Sequence, residues 1–337
     1  MARRQRKNGA GPINRSLWTW ARLAGGAAIL AVLVERVGTG PFVDAVRLTN
    51  AGALVAALAV TAVTTVACAW RWRLVAHGLG SEVPLPAAVG AYYRSQFLNC
   101  TLPGGVLGDV HRAVTRGRDA GDMSRSVRAV GWERSAGQVV QIVLTVVALL
   151  LLPSPLRSSL PTIVAVALEV ALILLLVGFV VRGTRGLPAR IVRAASDDVR
   201  HGLLDRRLWP GILFASTLAV AGHLVVFLVA ARTAGVPASA GEILPLALIV
   251  LLASAVPTNI AGWGPREGAA AWAFGAAGLG AAQGATVAVV YGVMVLVATL
   301  PGAVLLLGDW LVGRGRRAPA PSPLPRSLRP VEEASRG

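Results

Sequence analysis

Carboxylates and cysteines are scarce in this chain. The 337 residues hold 16 Asp and Glu against 33 Lys and Arg, and charged residues make up only 15%. A soluble domain carries roughly 25% charged residues, so a soluble globular fold is excluded. The two cysteines, Cys68 and Cys100, lie in or beside apolar stretches. That leaves no disulfide framework and no cysteine-based zinc site. Walker A, HExxH and paired metal-ligand spacings are also missing, so no cofactor and no metal is expected. The loops that read as external are short and poor in acids. This argues against a membrane glycosyltransferase with a catalytic acid on a large loop, and the chain reads as a non-enzyme.

Apolar residues are abundant, at 55%, with a mean hydropathy of +0.63. The net charge of +17 would suit a nucleic acid. Here, however, the arginines fall in the gaps between apolar runs, where they orient a membrane protein and meet anionic head groups. A spanning helix needs about 20 apolar residues. Segments near 17–36, 51–70, 127–152, 161–181, 210–232 and 284–307 qualify. Two shorter, interrupted regions lie between them, near 85–112 and 241–281. The expected fold is an all-α polytopic membrane protein with about six full spans plus two re-entrant or broken helical hairpins. It has eight spans if the second region crosses fully. A basic cytoplasmic N-terminus (1–16) precedes the membrane domain (17–310). A Pro-, Ser- and Arg-rich tail (311–337) reads as disordered and cytoplasmic. No small-residue cleavage site follows Leu33, so the first helix is expected to be retained rather than cleaved as a signal peptide.

Basic residues in short loops set the orientation. ARRQRK places the N-terminus in the cytoplasm. Arg71 and Arg73, and then Arg112 to Arg128, place both flanks of the first interrupted region on that same face. The uncharged TAGVPASAG loop places the start of the second region on the opposite face. Arg314, Arg316 and Arg317 bring the C-terminus back inside. One hairpin thus dips from each side, which is the pattern of an inverted repeat with a midplane binding site. The expected location is the cell (inner, cytoplasmic) membrane.

The interrupted regions carry two similar polar motifs, NCTLPGGVLGDVHRA (99–113) and VPTNIAGWGPREG (256–268). Pro and Gly break helices. Broken backbone at membrane depth must line a cavity or be buried in protein. In the first motif, Asn99, Gly104, Gly105, Gly108 and Asp109 form a turn that suits an anion. Arg112 and Arg94 are placed to hold a phosphate. The alternative is a surface turn with Arg112 snorkelling. In the second motif, Asn259, Gly262, Gly264, Arg266 and Glu267 surround a helix start at Pro265, where Glu267 also serves as a helix cap. Glu133 and Arg134, adjacent within WERSAG, cannot pair with each other across a helix. Arg112 is the expected partner of Glu133, and Asp109 of Arg134. The resulting pairs serve either structure or substrate. Glu169 and His223 sit inside apolar spans as candidates for ion coupling or as satisfied interior groups. Gly104/Gly108 and Gly280/Gly284 have the spacing of close helix contacts, a weak signal in so Gly-rich a chain.

YYRSQFLNCTLPGGVLGDVHRA (92–113), WERSAG (132–137) and VPTNIAGWGPREG (256–268) occur in this order. Together they resemble the flippase-like membrane region of lysylphosphatidylglycerol synthases, over roughly residues 17–310. Two details depart from the common pattern. Val106-Leu107 replaces a frequent Gly, and Ala261 precedes Gly262 where Gly-Gly is common. The resemblance implies translocation of a lipid between leaflets. Candidate lipids are an anionic or aminoacylated phospholipid, or a polyprenyl-phosphate-linked or glycosylated lipid. No soluble synthase domain is recognised in the sequence, so aminoacyl transfer is not implied. A separate cytoplasmic synthase is a candidate partner, and nucleic acid is not. Two rival readings are a non-transporting subunit that docks such a synthase and a membrane transferase acting on lipid-linked substrates.

Overall fold

A computed structural model describes residues 47, 50–102, 105–152, 194–255 and 264–315. The expected spans at 17–36 and 161–181 lie outside the described residues, as do Gly104, Glu169, Asn259, Gly262 and most of the tail.

The described chain is helical, in eight α-helices. These are α1 (Ala51–Gly78), α2 (Leu85–Thr101), α3 (Leu107–Ala120), α4 (Met123–Leu151), α5 (Trp209–Thr233), α6 (Ala240–Ser254), α7 (Pro265–Ala276) and α8 (Ala281–Gly315). A π-turn at Val199–Leu203 precedes α5. Four of the helices, α1, α4, α5 and α8, are long and apolar enough to cross a membrane. They match the expected spans at 51–70, 127–152, 210–232 and 284–307. The chain is an all-α polytopic membrane protein.

The remaining helices belong to the interrupted regions. At 1.5 Å per residue, α2, α3, α6 and α7 measure about 25, 21, 22 and 18 Å, each short of a hydrocarbon core about 30 Å thick. Local chemistry sets their ends. Asn50 accepts from Ala53 N at 2.8 Å to open α1. Asp122 accepts from Arg125 N at 2.9 Å to open α4. Ser239 and Glu242 form a reciprocal capping box at α6.

Two boundaries differ from expectation. Helix α1 continues through Arg71 and Trp72 to Gly78, because no Gly or Pro interrupts CAWRWRLVAH. Helix α3 extends beyond residue 112 to Ala120 and closes at Gly121, whose φ is 69°.

Helix α1 packs on α5, α8, α2 and α4. One apolar cluster joins α5 to α8 around Phe227, Ile243, Leu246, Phe274 and Met294. A second joins α1 to α4 around Trp72, Ala88, Tyr92, Ala113 and Val130. Lipid gives apolar helices little reason to associate, so close backbone contact through small residues matters more. A Cβ on Gly302 of α8 would lie 2.1 Å from Tyr93 O of α2. One on Gly284 of α8 would lie 2.2 Å from Ala270 O of α7. Val139, Val143, Val147 and Leu150 of α4 and Val304 and Leu307 of α8 are exposed, as a lipid-facing surface requires.

Candidate functional site

The break between α2 and α3 is stitched by side chains. Val106, at the start of α3, gives no side-chain cap. Asn99 of α2 supplies one: its Oδ1 accepts from Gly108 N at 2.8 Å, and its Nδ2 donates to Asp109 at 2.9 Å. Ser95 donates to the other Asp109 oxygen at 3.1 Å. Gly108 permits this approach, since a Cβ there would lie 1.9 Å from Ser95 O. Gly105 completes the turn at φ 58°.

Behind the turn lies a buried charge network. The Glu133 carboxylate is fully buried. It accepts from Arg71 Nε at 2.8 Å and also from Arg71 Nη2. Tyr92 Oη donates to it at 2.6 Å and Arg112 Nη2 at 2.9 Å. Arg112 Nη2 reaches Asp109 at 2.8 Å, and Arg134 Nη1 reaches the second Asp109 oxygen at 2.8 Å. The expected pairs Arg112–Glu133 and Asp109–Arg134 are therefore both present. Arg71 Nη1 extends the network to Ser216 of α5 at 3.2 Å. Arg112 is buried, so it does not snorkel. Its guanidinium lies 4.1 Å from the Tyr92 ring centre and 4.6 Å from that of Trp72.

On the other hairpin, Glu267 accepts from Gly264 N at 2.6 Å and caps α7. Its second oxygen accepts from Arg266 Nε at 2.9 Å and Nη2 at 2.7 Å. Arg266 lies 5.4 Å from the Tyr291 ring centre. Tyr291 Oη is 3.3 Å from His223 Nδ1.

These parts meet at a central polar cavity of about 300 Å³. Asn99, Gly105 and Asp109 enter from the first hairpin, Arg134 from α4, His223 from α5 and Arg266 from the second hairpin. Gly108, Arg112, Glu133, Gly264 and Glu267 stand behind the wall as packing, pairing or capping residues. Arg94 is not brought to this cavity. It pairs with Asp309 of α8 at 2.8 Å. The two arginines do share the wall of a second cavity, of about 460 Å³. It lies between the end of α1, helices α2 and α3, and Asp309. His111 also lines it.

Sequence reasoning missed Arg71, Tyr92, Gln96 and Tyr291, all of which line the central cavity. Arg71 reads as a loop cation when the span is ended at residue 70. The missed signal is the absence of any helix breaker between Ala53 and His77. In the sequence the tyrosines read as ordinary apolar positions, and only the fold aims Tyr92 Oη at Glu133.

The fold and its cavity define a polytopic helical membrane protein with a guanidinium-rich interior site. The chain belongs to the family described as the lysylphosphatidylglycerol synthase TM region, whose profile matches residues 19–302. No curated protein and no solved structure matches the chain significantly.

Proposed function

We propose that this protein moves an anionic lipid head group between the leaflets of the cell membrane through the central cavity. The observation that carries this reading is the charge of the cavity wall. Arg71, Arg134 and Arg266 line it, against Asp109 as the only carboxylate in its lining among the described residues. In the network behind the first hairpin, Arg71, Arg112 and Arg134 share the two carboxylates of Asp109 and Glu133. A phosphate-bearing head group supplies the missing negative charge, and guanidiniums suit its oxygens. Acyl chains remain in the bilayer. Family membership supports a lipid substrate, which includes anionic or aminoacylated phospholipids and polyprenyl-phosphate-linked lipids. The carboxylates hold the arginines. Tyr291–His223 is the candidate polar pair for ion coupling, and no covalent step is assigned to the site. In this reading both termini face the cytoplasm and the hairpins dip from opposite faces, as in an inverted repeat.

Reconstitution into liposomes with dithionite-quenchable lipids tests the reading. Wild-type protein is expected to move anionic lipids faster than a zwitterionic control. Arg134→Gln and Arg266→Gln are expected to remove that preference while remaining folded, the second with a lower melting temperature because it leaves Glu267 without its arginine. Equal rates for all lipids, or variants with unchanged selectivity, overturn it.

A further inference from the structure

Helix α4 carries a polar stripe through an apolar span. Arg134, Gln138 and Gln141 stand at i, i+4 and i+7, one above the other on a single face. All three line the central cavity. The two glutamines also line a side chamber of about 190 Å³, together with His223 of α5, Ser254 of α6 and Tyr291 of α8. At 1.5 Å per residue, the step from Arg134 to Gln141 runs about 10 Å along the helix. The stripe thus leads from the guanidiniums into the chamber.

The two ends differ in chemistry. Among its described lining residues the chamber has no arginine, lysine or carboxylate. Its polar groups are amides, hydroxyls and an imidazole. Gln138 and Gln141 are half-buried, and among the described residues nothing hydrogen-bonds to their amides. Each amide offers an acceptor oxygen and two N–H donors. Ser254 Oγ donates to Val250 O at 2.8 Å and keeps its lone pairs as acceptors. A charged group in this chamber would be buried without a counter-charge, which is costly. Asp109, in the adjoining wall, has little to offer an ammonium group. Ser95 and Arg112 take its Oδ1, and Asn99 and Arg134 its Oδ2. A hydroxyl, in contrast, both donates and accepts, and so matches an amide.

We infer that the side chamber is a specificity pocket, and that the transported lipid carries an uncharged, hydroxyl-rich group, a glycerol or a sugar, beyond its phosphate. The inference rests on the head-group reading of the central cavity proposed above. The phosphate lies among the arginines, and the hydroxyls reach along α4 to Gln138 and Gln141.

The test uses liposomes and dithionite quenching of lipids labelled on an acyl chain. The probes are phosphatidic acid, phosphatidylglycerol, phosphatidylinositol, lysyl-phosphatidylglycerol and zwitterionic phosphatidylcholine. Phosphatidic acid bears at least as much negative charge as phosphatidylglycerol, so a site that reads charge alone does not prefer the latter. Wild-type protein is expected to move phosphatidylglycerol or phosphatidylinositol about tenfold faster than phosphatidic acid, the worth of one or two hydrogen bonds. A preference for the first indicates a glycerol-sized group, and for the second a sugar-sized ring. Gln138→Leu and Gln141→Leu are each expected to slow the favoured lipid about fivefold and to leave phosphatidic acid unchanged. Both variants keep the preference for anionic lipids over phosphatidylcholine. If either variant fails to fold, the wild-type comparison decides. Phosphatidic acid moving as fast as both hydroxylated lipids, folded variants with unchanged rates, or lysyl-phosphatidylglycerol moving fastest overturns the inference while the anionic preference stands. Loss of that preference in the wild type overturns the transport reading, and this inference with it.

Discussion

Glu133 accepts hydrogen bonds from Arg71, Tyr92 and Arg112, on three different helices. Removing one partner from a buried ion network leaves uncompensated charge, at about 3–5 kcal/mol. Glu133→Gln is therefore expected to lower the melting temperature in detergent markedly. Tyr92→Phe removes one hydrogen bond to a charge and is expected to cost less, about 1.5–3 kcal/mol. Equal losses would mean that the network does not hold the helices together. Gly108→Ala is expected to destabilise the first hairpin by about 1–3 kcal/mol or more, because the added methyl meets the Ser95 carbonyl. A melting temperature within error of the wild type would contradict that contact. At this scale the sequence revealed the pairs Arg112–Glu133 and Asp109–Arg134, because isolated ionisable groups among apolar neighbours need partners. Arg71 was legible only through the unbroken helical run around it, because in composition it looks the same as a basic residue flanking a span. The sequence could not show that Arg94 turns toward Asp309, a residue 215 positions away, since such a pairing depends on how α2 packs against α8.

Helices α2–α3 and α6–α7 form two short pairs, and none of the four arms is long enough to cross alone. Opposite entry of the pairs is testable by thiol labelling in a variant whose Cys68 and Cys100 are replaced by alanine. Arg118→Cys, on the exposed end of α3, is expected to react with a membrane-impermeant maleimide from the cytoplasmic side only. Ser239→Cys, at the exposed start of α6, is expected to react from the opposite side only. Labelling of both from one face would rule out opposed hairpins. The elements themselves were legible in the sequence. Four long apolar runs became four helices, and the Gly- and Pro-bearing motifs fell where the chain breaks or restarts. The continuation of α1 and α3 was less legible, because charged residues can end a span without ending a helix. Gly284 was legible as a contact only weakly, and Gly302 not at all, because a packing glycine differs from any other only through its neighbour.

Across the whole molecule, two polar cavities approach each other at Arg112. That side chain lines the second cavity and contacts Tyr92 and Asp109, which line the first. Adjacent polar chambers inside a bilayer are a hazard, because together they resemble a pore. A guanidinium fixed between them repels protons and metal cations, as positive groups do in other narrow passages. Liposomes holding the wild type are expected to keep an imposed pH gradient. Those holding Arg112→Gln are expected to lose it faster, as followed with an internal pH dye. Equal decay would show that Arg112 is no barrier. If the barrier holds, Arg112 gives this fold electrical insulation: the membrane can stay energised around a protein whose interior is wet on both sides of one side chain.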